Sequence, residues 1–257
     1  MRYSLENVID SANVGITGIT NALTGAFPLS DRRTTRAYSA DQDGASGVTI
    51  TVEPLDGSGS VTTATIALVA LVGVTGITSA TITLRNASVD QATDTVSVSQ
   101  PVQQTYLLAA FHDVTADEIE IAFDVGDGES FSIGYLYVGD LSSEITIADG
   151  ALQYGVESAY PRNLTRAGTP LTSISYLFAT VEISTVEMAF STLRSLVTEI
   201  AESGYATPRL WYFDETCILT GEAFWGVFDS DRIQIDPIYY PNGEARATTT
   251  LGLTEVF

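Results

Sequence analysis

Lysine is absent from this 257-residue chain, and histidine and cysteine occur once each, as His112 and Cys217. Eleven arginines are its only fixed cations against 32 Asp and Glu, for a formal net charge of -21. Each shortage closes a class of function. A single Cys excludes an internal disulfide, and one Cys with one His cannot build a Cys/His zinc site. So few cations exclude a nucleic-acid binder, which needs clustered Lys and Arg on phosphates, and argue equally against an anionic membrane surface. The opening segment Met1–Asn7 has no apolar core, so no signal peptide is expected. No P-loop, dinucleotide glycine fingerprint or Gly-x-Ser-x-Gly elbow occurs. Acidity favours solubility at high local concentration but names no partner.

What remains is a chain with 45% apolar residues, enough to bury a full core at this length. One stretch, 57–84, carries no charge and is long enough to raise a membrane helix. Its Thr, Ser and Gly interruptions and its β-branched residues argue instead for two buried strands joined at Val74–Ile77, and no membrane insertion is expected.

Most of the chain reads as strand. Period-two alternation marks 47–53, 80–84 and 94–99, with further strands at 104–111, 117–124 and 131–138. Asp41-Gln-Asp-Gly44 and Asp56-Gly-Ser-Gly59 are turn chemistry. Short strands separated by turns predict a β-sandwich or jelly roll over about residues 1–142. The pattern lapses at 139–144, the expected boundary, and a second domain over 143–257 is β with one helix. That helix is expected near 185–203, where Val186, Ala189, Phe190, Leu193, Leu196, Val197 and Ile200 recur on one face. Ser184 with Glu187 reads as its capping box and Gly204 as its stop. Strands follow at 172–184, 208–213, 216–228 and 231–240, and Pro241-Asn-Gly-Glu244 reads as a hairpin turn. The final segment, 248–257, alternates and is expected to serve a subunit edge as readily as the interior of one domain.

Candidate chemistry is sparse. His112 and Asp113 are neighbours whose side chains diverge on a strand, and Cys217 has no basic neighbour to lower its pKa. Asp41, Asp43 and the segment 124–129 invite a hard cation, although neither matches a full calcium loop and solvated turns explain both. Asn86-Ala-Ser88 and Asn163-Leu-Thr165 fit the glycosylation pattern. Phe111, Tyr135, Tyr137, Trp211 and Trp225 lie on strands where core is the stronger reading. Arg32, Arg33 and Arg36 form the only basic cluster and are the candidate interface or ligand clamp, against a salt-bridging structural role.

Three segments carry a family resemblance: 19–24 through 31–36, Phe131-Ser-Ile-Gly-Tyr-Leu-Tyr-Val-Gly139, and Leu251-Gly-Leu-Thr-Glu-Val-Phe257. In these the chain resembles two-domain tail-tip proteins of tailed bacteriophages. The resemblance implies a galactose-binding-like sandwich followed by a domain akin to distal-tail and tail-tube proteins. Tyr38 stands near the place where such sandwiches often carry Trp. By that resemblance the protein is a non-enzymatic structural part of a phage tail or baseplate, located in the virion, without cofactor. Its partners would be further copies of itself in a ring and other tail proteins. The alternative is a carbohydrate-binding module that attaches to host-surface glycan.

Overall fold

The computed structural model describes all residues except 1, 5, 23–28, 30–36, 101–103, 143, 146, 160–161, 165–169, 173–175, 203–206, 214–221, 229–232, 234, 242 and 257. At 147–152, 154, 156–159, 162–164, 170–172, 176–178 and 199 it describes the backbone alone. Arg32, Arg33, Arg36, Gly204 and Cys217 therefore lie outside the described residues. The fold is mainly β, with one α-helix, and contacts divide the chain into two compact units, Arg2–Ser143 and Glu144–Val256. No described helix is long and apolar enough to cross a membrane.

The first unit is the expected β-sandwich. Its strands are β1 (Arg2–Tyr3), β2 (Ala12–Thr17), β3 (Ile19–Thr20), β4 (Tyr38–Gln42), β5 (Val48–Pro54), β6 (Ala64–Val72) and β7 (Ser79–Asn86). They continue with β8 (Val89–Ser97), β9 (Tyr106–Ala116), β10 (Glu118–Phe123), β11 (Ser130–Ile133) and β12 (Tyr135–Gly139). One layer is a five-stranded antiparallel sheet in the order β2-β5-β10-β7-β8. Two three-stranded sheets, β12-β6-β9 and β11-β4-β3, supply the rest. Alternation decides which side chains meet between them. Val48, Ile50 and Val52 of β5, Ile82 and Leu84 of β7, and Ile119 and Ile121 of β10 point inwards. There they join Val69, Leu71, Leu136, Val138, Tyr38 and Phe131 in one core. Each such aliphatic side chain contributes about 1.5–3 kcal/mol by leaving water.

The charge-free stretch is explained by β6, in which every residue from Ile66 to Val72 is buried, so both faces of the strand tolerate only apolar side chains. β6 and β7 join different sheets, so the connection at Val74–Ile77 crosses the sandwich. The expected strand 131–138 is broken at Gly134 for a similar reason: β11 pairs with β4, whereas β12 pairs with β6.

The free edge of β12 is closed by a side chain. Asn7 is buried, and its Nδ2 donates to Leu136 O at 2.8 Å and to the Tyr135 hydroxyl at 3.1 Å. Its Oδ1 accepts from Val138 N at 3.0 Å. One carboxamide thus takes the place of a neighbouring strand on the side of β12 where none pairs with it among the described residues.

The second unit contains β13 (Ile147–Ala159), β14 (Arg162–Leu164), β15 (Pro170–Thr172), β16 (Tyr176–Thr185), β17 (Met188–Ala189), α1 (Phe190–Glu202), β18 (Arg209–Phe213), β19 (Glu222–Phe228), β20 (Ile235–Tyr239) and β21 (Ala245–Glu255). Its main sheet runs β18-β19-β21-β16-β13, and β17 and β20 also pair with β21. The expected start and cap of the helix are corrected here. The helix starts at Phe190, and Ser184 does not cap it. The Ser184 hydroxyl instead meets the Thr250 hydroxyl at 3.1 Å, and Thr185 Oγ1 accepts from Thr249 N, because β16 keeps its ladder with β21 through these residues. The C-terminal strand is not an edge: β21 lies between β19 and β16, with Leu251, Leu253 and Glu255 buried. On α1, Leu193 and Ile200 are fully buried and Leu196 and Val197 half-buried, so the periodic face does meet the core.

Candidate functional site

The outer face of the five-stranded sheet is built in rows. Register aligns Thr17, Thr49, Ala122, Thr81 and Thr95 across β2, β5, β10, β7 and β8. The row beside it holds Gly15, Thr51, Glu120, Thr83 and Thr93. Beyond it Arg85 gathers three carboxylates, with Nε to Asp90 at 2.8 Å and NH1 to Glu118 at 2.6 Å and Glu120 at 2.8 Å. That charge is fully engaged. In the first row Ala122 is the one short side chain, and the face is hollow there.

The hollow is an open groove of about 330 Å³, floored by Ala122 and walled by Ser79 and Thr81 of β7 and by the loop Ala45–Gly47. Gly47 lets that loop come close: its φ is +76°, and a Cβ there would stand 2.8 Å from Phe123 O. Asp124 stands at the lip.

Gln42 fixes that lip. It is the inward-pointing end of β4, and its buried carboxamide joins the two acidic turns noted in the sequence. Nε2 donates to Asp124 Oδ1 at 2.7 Å and to Gly44 O at 3.0 Å, while Oε1 accepts from Val125 N at 2.8 Å. Gly44 N donates to Asp127 Oδ1, and Gly126 N to Asp124 Oδ1. Asp41 accepts from Ser130 and Asn21. The bond from Gln42, then that from Gly126, holds the Asp124 carboxyl below the usual carboxylate range, and Ser130 then Asn21 do the same for Asp41. Both are ionised at neutral pH, held by neutral donors. Asp124 Oδ2 meets no donor among the described residues. Among those residues no three His, Cys, Asp or Glu side chains are grouped to hold a metal ion.

Chemically the groove offers hydroxyls, backbone groups and one oriented carboxylate. Among the described residues that line it, Asp124 is the one with a charged side chain. Sequence reading placed both acidic turns but missed Gln42, Ser46, Ser79 and Thr81. Gln42 did leave a signal, as a polar residue on the inward parity of Tyr38 and Ala40.

The remaining candidates fall elsewhere. His112 and Asp113 are exposed on β9, at a bulge where Phe111–Asp113 stand opposite the single residue Ala67, and Asp113 has a φ of +50°. Tyr135, Tyr137, Trp211 and Trp225 are buried, as core, and Phe111 is half-buried against the sandwich core. Asn86-Ala-Ser88 opens the β7–β8 turn, while Thr165 of the other glycosylation pattern lies outside the described residues.

No protein-family profile matches the chain, and no curated protein matches it. Solved structures similar to it include a histidine mutant of the lectin binding domain of Lectinolysin complexed with Lewis b. That likeness has 12% identity and a TM-score of 0.41, and it covers 55% of this chain and 99% of that one. A fucose binding module of Streptococcus pneumoniae matches at 12% identity and a TM-score of 0.38, over 52% of this chain and 94% of the module. The family 32 carbohydrate-binding module of NanJ from C. perfringens, in complex with galactose, matches at 18% identity and a TM-score of 0.38, over 50% of this chain and 93% of the module.

Proposed function

We propose that the first unit is a binding module for a neutral sugar, acting by attachment without turnover. The observation that supports this reading most is the pairing of a small uncharged groove with the ionised, oriented carboxylate of Asp124, one of whose oxygens is open. A sugar hydroxyl donates to such an oxygen while its neighbours bond to the hydroxyls of Ser46, Ser79 and Thr81. The volume, about 330 Å³, is at the small end for ligand sites and suits one sugar residue of a chain. Open grooves also let the rest of a glycan pass into solvent.

The test is binding of the intact protein to an array of free neutral glycans, followed by titration calorimetry. Asp124→Ala and Ala122→Phe should each weaken the best ligand about tenfold or more, since one removes the acceptor and the other fills the floor. Unchanged binding by both variants, or release of a hydrolysed product, overturns the reading. Glycan binding holds with or without the tail-tip location and ring assembly that the sequence resemblance implies. Electron microscopy of particles labelled on this protein reads that location separately.

A further inference from the structure

A strand at the end of a sheet exposes a row of backbone N–H and C=O groups, and the five-stranded sheet ends in β2 and β8. The two edges are built differently. β8 carries Asp94 on its inward parity, between Ala92 and Val96 and opposite the buried Ile82, and Gln91 is an extra residue that bulges the strand. An inward charge and a bulge both keep an edge from pairing. β2 has neither. Its register with β5 is unbroken, and residues 11–30 carry no charge in a chain of net charge -21.

Register fixes which groups of β2 are open. Leu55 N donates to Ser11 O at 3.1 Å, so the hydrogen-bonded pairs with β5 fall on Ser11, Asn13, Gly15 and Thr17. The N–H and C=O groups of Ala12, Val14 and Ile16 therefore face away from β5, where no strand lies among the described residues. Ala12 N–H is spent on Ile9 O, which leaves Val14 and Ile16 with both groups open. Between them stands Gly15. Its φ is not positive, and a Cβ there would meet nothing within 4 Å, so the fold of one chain does not require glycine. Glycine inside a strand also marks the close approach of another backbone.

These features are self-complementary. An antiparallel second copy about a two-fold axis through Gly15 sets Val14 opposite Ile16 on both sides of the axis, in hydrogen-bonded pairs that use every open group of the two residues. The axis falls on the close, non-hydrogen-bonded pair, where Cα atoms approach to about 4.5 Å and Gly15 meets Gly15 with no side chain between. Val14 and Ile16 are then apolar neighbours on the inner face, and Asn13 faces Thr17 on the outer one. A basic partner, which so acidic a chain would otherwise attract, finds no counter-charge along this edge.

We propose that β2 is a pairing edge for a second copy of this chain, joining the two five-stranded sheets into one about Gly15. One strand against one strand buries less than a standard interface, so the dimer is weak and concentration-dependent. Opposed residues of antiparallel strands share a face, so both outer faces, and both grooves, look the same way. Two sites on one face strengthen attachment to a repeating glycan, a consequence that rests on the sugar reading of the groove.

Sedimentation velocity of the full chain from about 1 μM to about 1 mM tests the pairing. The wild type should move towards twice the monomer mass as concentration rises, and further in high salt, which screens repulsion between the acidic copies. Gly15→Glu and Gly15→Lys each set like charges face to face on the axis and should weaken association about fivefold or more. Their equimolar mixture, with opposite charges on the axis, should restore it, which a loss of folding in either variant would not allow. A monomer throughout the range, association that salt weakens, or a mixture no tighter than the separate variants overturns the proposal. A wild-type dimer that binds no glycan leaves the pairing intact and overturns the groove reading alone.

Discussion

Replacing Asn7 tests whether one side chain stands in for a missing strand. Asn7→Ala would orphan two buried backbone groups, Leu136 C=O and Val138 N–H, now satisfied at 2.8 and 3.0 Å. Leaving a buried group unpaired costs about 1–3 kcal/mol, so the pair should cost about 2–6 kcal/mol. That is a large share of the stability of an ordinary domain. Urea unfolding followed by far-ultraviolet circular dichroism reads it. Tryptophan emission does not, because Trp211 and Trp225 both lie in the second unit.

Asn7→Asp gives the argument a sign. A carboxylate at this position still accepts from Val138 N–H but faces Leu136 O, a second acceptor, with nothing to donate. Protonation restores a donor, so the folded state raises the carboxyl pKa above its unfolded value, near 3.9. A raised folded pKa means the deficit is smallest below the unfolded value and grows as pH rises through the folded one. The difference between wild type and Asn7→Asp should therefore shrink on acidification. A cost for Asn7→Ala below about 1 kcal/mol, or a deficit that widens in acid, would refute the surrogate-strand reasoning.

Other perturbations have equally definite expectations. Ala87 and Ser88 hold the two-residue β7–β8 turn with φ of 50° and 64°, a conformation Asn-Gly adopts without strain. The double change Ala87→Asn, Ser88→Gly should therefore raise stability by about 1 kcal/mol in a thermal melt, and a loss would mean the turn is otherwise constrained. Gly226→Ala places a methyl 2.6 Å from Thr254 O and against the Phe224 ring. It should lower the midpoint of the tryptophan-detected transition by about 1–3 kcal/mol equivalent, and a neutral result would show that β19 shifts freely. Asp41 and Asp124 have depressed carboxyl pKa values, so the loop order they provide is present above about pH 4 and lost as pH falls through the folded values. Amide shifts of Gly44, Val125 and Gly126 should move together in that acid range; independent or absent movement counts against a shared cluster. Deleting residues 251–257 removes Leu251 and Leu253 from the middle of the sheet and should unfold the second unit, where a folded truncated chain would place β21 at an edge.

The strands were legible because alternation is a local consequence of burial. β5 reads inward-outward from Val48 to Pro54 in sequence and in space alike, and β6 reads as unbroken apolar residues because both its faces are covered. Partnership was less legible. Nothing local in 131–138 tells that Gly134 divides it between two sheets, since that depends on β4 and β6, far earlier in the chain. The capping box at Ser184 failed for the same reason: a cap is worth about 1 kcal/mol, and a ladder that runs to Thr185 with paired hydroxyls outweighs it.

A groove lined by Ser and Thr leaves almost no trace in sequence, because those residues are what any solvent-facing strand contains. What makes Ser79, Thr81 and Ser46 a site is the missing side chain at Ala122, and a missing side chain is visible only once register sets its neighbours. The acidic turns are the opposite case. Their carboxylates are conspicuous in sequence and suggest a cation, yet Gln42, Gly44, Gly126, Ser130 and Asn21 already supply the donors that a cation would replace. Asp124 Oδ2, at the groove lip, escapes this network among the described residues, so the reading rests on a count of bonds rather than on a motif.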